Sequence, residues 1–186
     1  MARIKIIEHD EATGRLLDIY NDLIAKRGKI AEVHKIQSLR PESIVKHMDL
    51  YLEIMFSKSE LNRAEREMMA VVVSVTNDCE YCYLHHGEAL NHYWKSDEKV
   101  SLLVKDYRKA GLSSRQEFLC HYAEMLTKTP SGFNEPQNNE ILREAGFNDN
   151  AILDATLVVS YFNFVNRMVL ALGVEASEEE IKGYKF

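Results

Sequence analysis

Apolar residues recur at intervals of three and four along almost the whole chain, the spacing that gathers them on one side of an α-helix. From Asp10 to Lys26 the positions Ala12, Leu16, Ile19, Tyr20, Leu23 and Ile24 keep this rhythm, and Gly28 stands where a helix C-cap belongs. Arg40-Pro41 predicts a boundary, with Pro41 in the first turn of a helix that carries Ile44, Val45, Met48, Tyr51, Leu52 and Met55 and ends near Ser57. Asn62-Arg63-Ala64-Glu65 has the form of a capping box, so a helix is expected to run through EREMMAVVVSV. The same form at Asn77-Asp78-Cys79-Glu80 predicts a further start and a helix reaching about Tyr93. Ser96 to Ala110, Ser114 to Lys128, Glu135 to Ala145 and Asp149 to Leu172 complete the helices, with Gly111, Gly146 and Gly173 as stops. TPSGFNEPQNN is the one extended loop signal.

A strand competes only at MMAVVVSV, whose β-branched run ahead of Cys-x-x-Cys is also what a thioredoxin-like βαβ unit would show. Such a sheet needs several strands alternating with helices, and the one rival run, LVVSYFNF, lies inside a long helical pattern. Valine costs only a few tenths of a kcal/mol against alanine in a helix, so burial overrides it. The prediction is an all-α fold. VVSVTN at Val72 to Asn77 echoes VVSYFN at Val158 to Asn163, which is either an internal duplication or a chance likeness of two apolar segments. Under duplication the second copy keeps packing but not chemistry, because Glu67 falls on Leu153, Cys79 on Val165, Cys82 on Met168 and His86 on Leu172.

With 186 residues the chain is expected to form a single domain over 1–186, and 46% hydrophobic with 28% charged residues is an ordinary globular balance. A net charge of −6 with no basic cluster argues against nucleic acid as a partner. No apolar run was expected to approach the roughly 20 residues a bilayer needs, and the N-terminus reaches charge at once, so no membrane and a cytoplasmic location are expected. Three cysteines without framework spacing point to reduced thiols rather than permanent staples.

The chemistry concentrates in NDCEYCYLHH, Asn77 to His86. At about 100° per residue, Cys82 lies roughly 60° from Cys79 around the helix, with His86 between them, His85 to the side and Tyr81 pointing away. Two thiols at i and i+3 can close a disulfide, and a helix start or an imidazole four residues on can depress a thiol pKa. Glu67, one helix earlier among apolar residues, is expected to be partly desolvated, with a raised pKa suited to passing protons. Haem attachment is excluded, since Tyr83 and not histidine follows Cys82. A metal site would have Cys79, Cys82 and His86 as three ligands and only Glu67 or His85 as a poor fourth. Thiol redox, metal binding and inert packing therefore stay open on the residues alone. Cys120 reads as a small buried hydrophobe beside a partly exposed His121, and Tyr161, Phe162 and Phe164 read as core or subunit interface. His9, His34, His47 and His92 are isolated and receive no role, and Glu178-Glu179-Glu180 reads as a solvated tail.

Glu67, then Cys79-x-x-Cys82 and His86, with Val73-Ser74 and Asn77 between, resembles the signature of the alkylhydroperoxidase D (AhpD)-like branch of the carboxymuconolactone decarboxylase superfamily. EATGRLLDIYNDL, SLRPE, LNRAERE and YFNFVNRMVLALGVE resemble its peroxidase-related members, so the likeness covers most of the chain. The resemblance implies an all-helical, often duplicated fold, assembled as trimers or hexamers with the site at a subunit interface. It implies hydroperoxide reduction in which Cys82 attacks the peroxide and Cys79 resolves the sulfenic acid, Glu67 and His86 relay protons, no cofactor or metal is bound, and an external dithiol of lipoyl or thioredoxin type regenerates the pair. Tyr81 stands where well-studied members carry histidine, which leaves the relay one group short.

Overall fold

The computed structural model describes residues 2–135 and 137–181, and among them it is helical with no strand. Helices α1 (Gly14–Arg27), α2 (Glu32–Lys35) and α3 (Pro41–Phe56) precede the central pair α4 (Arg63–Thr76) and α5 (Glu80–Trp94). Then follow α6 (Asp97–Asp106), α7 (Ser114–Lys128), α8 (Gln137–Glu144), α9 (Asp149–Leu172) and α10 (Glu178–Ile181). Helix α4 lies in the middle, against α5 on one side and α7 and α9 on the others. Every residue from Glu65 to Ser74 is buried, which explains MMAVVVSV: a helix enclosed all round needs no polar face, and apolar burial outweighs the weak preference of valine for strands.

Asn62 and Glu65 form the expected reciprocal capping box at the start of α4. The second expected box is absent. Asn77 closes α4, Asp78 takes a left-handed conformation (φ 55°), and Cys79 precedes α5 with no side-chain cap. Asn77 is engaged elsewhere: its amide donates to Asn163 (3.1 Å) and Asn166 (3.0 Å) of α9, and Asn166 donates to Ser74 (3.2 Å). The two echoing segments thus lie against each other. Helix α9 continues unbroken through residues 163–172, whereas 77–86 turn a corner, so the echo marks a pair of packed helices.

Other boundaries moved for local reasons. The predicted start at Asp10 shifts to Gly14, whose positive φ of 51° sets the turn into α1. Residues Pro130–Asn134 form a 3₁₀ turn, and Glu135 is extended, as expected of a residue ahead of proline, so α8 begins at Gln137. Tyr107–Lys109 tighten into a 3₁₀ turn after α6. Helix α9, at 24 residues, is long and apolar enough by composition to cross a bilayer, contrary to the expectation that no run approached that length. It is a core helix here: Val158, Val159, Phe162, Val165 and Val169 are buried, and the fully buried Asn166 is hydrogen-bonded to α4.

Candidate active site

The corner between α4 and α5 positions the expected residues. Glu67, with 0% exposure, accepts from the Arg63 guanidinium one turn earlier and lies 2.7 Å from His86 Nδ1 on the neighbouring helix. Arg63 reaches this position because it also donates to the Met55 carbonyl and its guanidinium lies 3.5 Å from the Phe56 ring centre. Burial alone would push the Glu67 carboxyl up, as the sequence suggested. His86 and Arg63 more than offset it and hold Glu67 below its ordinary value, so it is a carboxylate that fixes its histidine, not a raised acid. The far side of the His86 ring meets Phe162 edge-on at 4.5 Å.

Cys79 and Cys82 are free, buried thiols whose sulfurs are 2.8 Å apart, so the structure brings them together as the spacing predicted. They are not equivalent. Cys79 lies at the amino end of α5, and its hydrogen bond with Cys82, opposed by burial and helped by the Cys82 amide, holds its thiol below the ordinary range. Cys82 is pushed up, by that same hydrogen bond, by burial and by the charge on Cys79. When the pair loses a proton, the negative charge is therefore favoured on Cys79. A cavity of about 90 Å³ opens in front of Cys82 and His86, and Cys79, with 0% exposure, sits behind them outside the lining.

Several other lining residues were given no role by the sequence. Tyr81, expected to point away, and His85, expected off to the side, both face this cavity, stacked at 4.2 Å. The Tyr81 hydroxyl donates to Glu180 (2.6 Å) and accepts from the Val33 amide (3.2 Å), while His85 Nε2 lies 2.9 Å from the other Glu180 oxygen. Glu180 also accepts from the Glu32 amide (3.1 Å) and is buried, which corrects the reading of the glutamate run as a solvated tail at this residue. Burial opposes its ionisation, but His85 and Tyr81 keep its carboxyl below its usual value. Nothing local in the glutamate run marks Glu180 as a residue that turns inward.

His34 and His47 are buried in the wall facing α5. Gln37 donates to His47 Nδ1 (2.8 Å), which leaves Nε2 as the donor to the Tyr161 hydroxyl (2.7 Å) and fixes a neutral imidazole. Burial lowers His47 to about 4, and burial with the charges of His47 and Arg27 lowers His34 to about 3. Both shifts are downward, so above pH 6.5 neither group contributes a difference. Below it the unfolded chain takes up protons that the native chain refuses, and stability falls toward pH 4 by about 1.4 kcal/mol per pH unit for each imidazole. Urea unfolding between pH 7 and 5 is expected to show this slope, and His47→Gln to reduce it; an identical slope in that variant would remove His47 as a source. Only Arg63, four residues before Glu67, left a readable helical signal among the residues passed over.

Among the described residues no group of three His, Cys, Asp or Glu side chains is placed to hold a metal ion.

A helical fold with a paired-cysteine corner and a buried glutamate on the adjoining helix is that of the AhpD-like proteins. The chain belongs to the carboxymuconolactone decarboxylase family, whose model matches residues 43–115, a span that includes Glu67, both cysteines and His86. An uncharacterized peroxidase-related protein from Silicibacter sp. TM1040 is 30% identical, with 97% of each chain covered and a TM-score of 0.83. The alkylhydroperoxidase AhpD core of an uncharacterized peroxidase-related protein from Ralstonia eutropha JMP134 is 26% identical over 97% of this chain and 94% of its own, with a TM-score of 0.86. The debrominase Bmp8 shares the fold, at a TM-score of 0.77 over 97% of this chain and 98% of its own, with 14% identity.

Proposed function

We propose that the protein is a thiol peroxidase that reduces an organic hydroperoxide through Cys82 and Cys79 and is regenerated by an external dithiol, of lipoyl or thioredoxin type, in the cytoplasm. The observation that carries this is the arrangement of sulfurs: one faces a cavity, the second touches it from behind at 2.8 Å, and Glu67-supported His86 stands beside the first. As Cys82 attacks the terminal peroxide oxygen, its proton passes to the Cys79 thiolate. The O–O bond breaks, His86 as imidazolium protonates the departing alkoxide, and Cys82 becomes a sulfenic acid. Cys79 then attacks the Cys82 sulfur. The S–S bond forms, and hydroxide leaves with the proton of Cys79 as water. The two electrons return when the dithiol reduces the bridge. Tyr81 is committed to Glu180, so proton supply in this scheme rests on His86 and Cys79 alone.

The expected product of one equivalent of tert-butyl hydroperoxide is a Cys79–Cys82 bridge with Cys120 unchanged, since Cys120 is buried and its thiol is pushed up by that burial. Peptide mass spectrometry decides it; oxidation of Cys120 with the pair still reduced would defeat the proposal. A homo-oligomer, trimer or hexamer, is part of this reading. Leu153, Leu157 and Phe164 are exposed at spacings that align them along one side of α9, an apolar stripe suited to a second copy. The fold shared with a debrominase supplies a second reading, reductive dehalogenation by the same dithiol, which the same cysteine variants test with a halogenated aromatic in place of the peroxide.

A further inference from the structure

Two features of the cavity wall remain unused by the redox scheme. Arg27, at the end of α1, lines the cavity and forms no hydrogen bond or ion pair with any described residue; its guanidinium lies 5.4 Å from the Tyr51 ring centre, and Tyr51 lines the same cavity. Its charge is felt by His34, Tyr51 and Tyr161, all lining residues, while the carboxylates nearest the cavity are committed: Glu67 to Arg63 and His86, Glu180 to Tyr81 and His85. The second feature is His34, 7% exposed, whose Nδ1 is buried with no hydrogen-bond partner. The His34 side chain lines the cavity without a hydrogen bond to any described residue, so its imidazole is open to a ligand atom.

We infer that the cavity selects a small substrate bearing a carboxylate, held by the Arg27 guanidinium with a further hydrogen bond to the His34 imidazole, while its reducible group faces Cys82. The volume of about 90 Å³ limits the enclosed part of that substrate to less than a benzene ring, since a cavity of about 150 Å³ is what encloses benzene. An arginine paired with an arriving carboxylate gives a charge-assisted, two-pronged contact that a neutral analogue cannot make. The inference rests on the peroxidase reading only in assigning the reactive end to Cys82; the anion site itself is independent of turnover.

Its test therefore uses Cys82→Ser protein, which cannot react, titrated calorimetrically at low salt with butanoate and with butanamide. Butanoate is expected to bind at least about tenfold more tightly than the amide, Arg27→Leu to abolish that difference by weakening butanoate alone, and Arg27→Lys to restore part of it. Thermal melting of the Arg27 variants confirms that they are folded. Equal binding of acid and amide, or butanoate binding untouched by Arg27→Leu, overturns the inference. Discrimination in favour of butanoate combined with no turnover of any hydroperoxide by the unaltered protein would instead leave the anion site standing and remove the peroxidase reading.

Discussion

Cys82→Ser protein is expected to lose hydroperoxide reduction by at least about 10³-fold, to the level of solution chemistry, because no other thiol of the described residues lines the cavity. Cys79→Ser is expected to lose turnover as well, but by a different route. Its Cys82 still meets peroxide once, and the sulfenic acid then persists because nothing behind it can attack. Loss of the Cys79 thiolate also removes the acceptor for the Cys82 proton, so that single event is slowed. A coupled assay for turnover and a sulfenic-acid trap read by mass spectrometry separate the two variants. Turnover surviving in Cys82→Ser, or a trapped sulfenic acid on Cys79 in the unaltered protein, would reverse the assignment of front and rear sulfur.

The second large effect concerns stability. Glu67 is fully enclosed and neutralises Arg63, whose side chain is 13% exposed, so Glu67→Gln strands a mostly buried guanidinium. Removing one member of a buried pair costs about 3–5 kcal/mol, which in a chain of this length lowers Tm by roughly 6–20 °C. The double replacement Arg63→Met with Glu67→Leu is expected to recover most of that loss, since no buried charge is left alone. Chemical denaturation of the three proteins settles it, and a single variant within about 1 kcal/mol of the parent would show that the pair is already solvated. The pH dependence has a definite sign. A carboxyl held below its unfolded value of 4.5 contributes stability above that pH and forfeits it as the pH falls through the folded value, and Glu67→Gln should lose this acid limb.

The fold and the dithiol were largely legible because both depend on short-range spacing. Apolar periodicity and end signals placed α3, α4, α7 and α9 to within a residue or two of their ends, and the i, i+3 cysteines met as a single helical turn requires. The errors arose where tertiary contacts took over a local signal. Asn77 looked like a cap and became a bridge to α9; Glu67 looked like a desolvated acid and proved to be doubly countered by charge. His47 and Tyr161, 114 positions apart, or Tyr81 and Glu180, 99 apart, carry no mark of each other in the sequence. Helices α2 and α10, at four residues each, are too short to show a period at all.

The bond between the Glu32 amide and Glu180 spans 148 positions, so the cavity wall is knitted from segments that leave the ribosome far apart in time. Helices α4 and α5 can pack on each other within their own stretch of chain, so the two sulfurs adjoin early. Tyr81 and His85 must wait for residue 180. A nascent chain halted before that point would therefore present its thiols to solvent through an unfinished wall, and cellular oxidants or chaperones would meet the dithiol before its pocket exists.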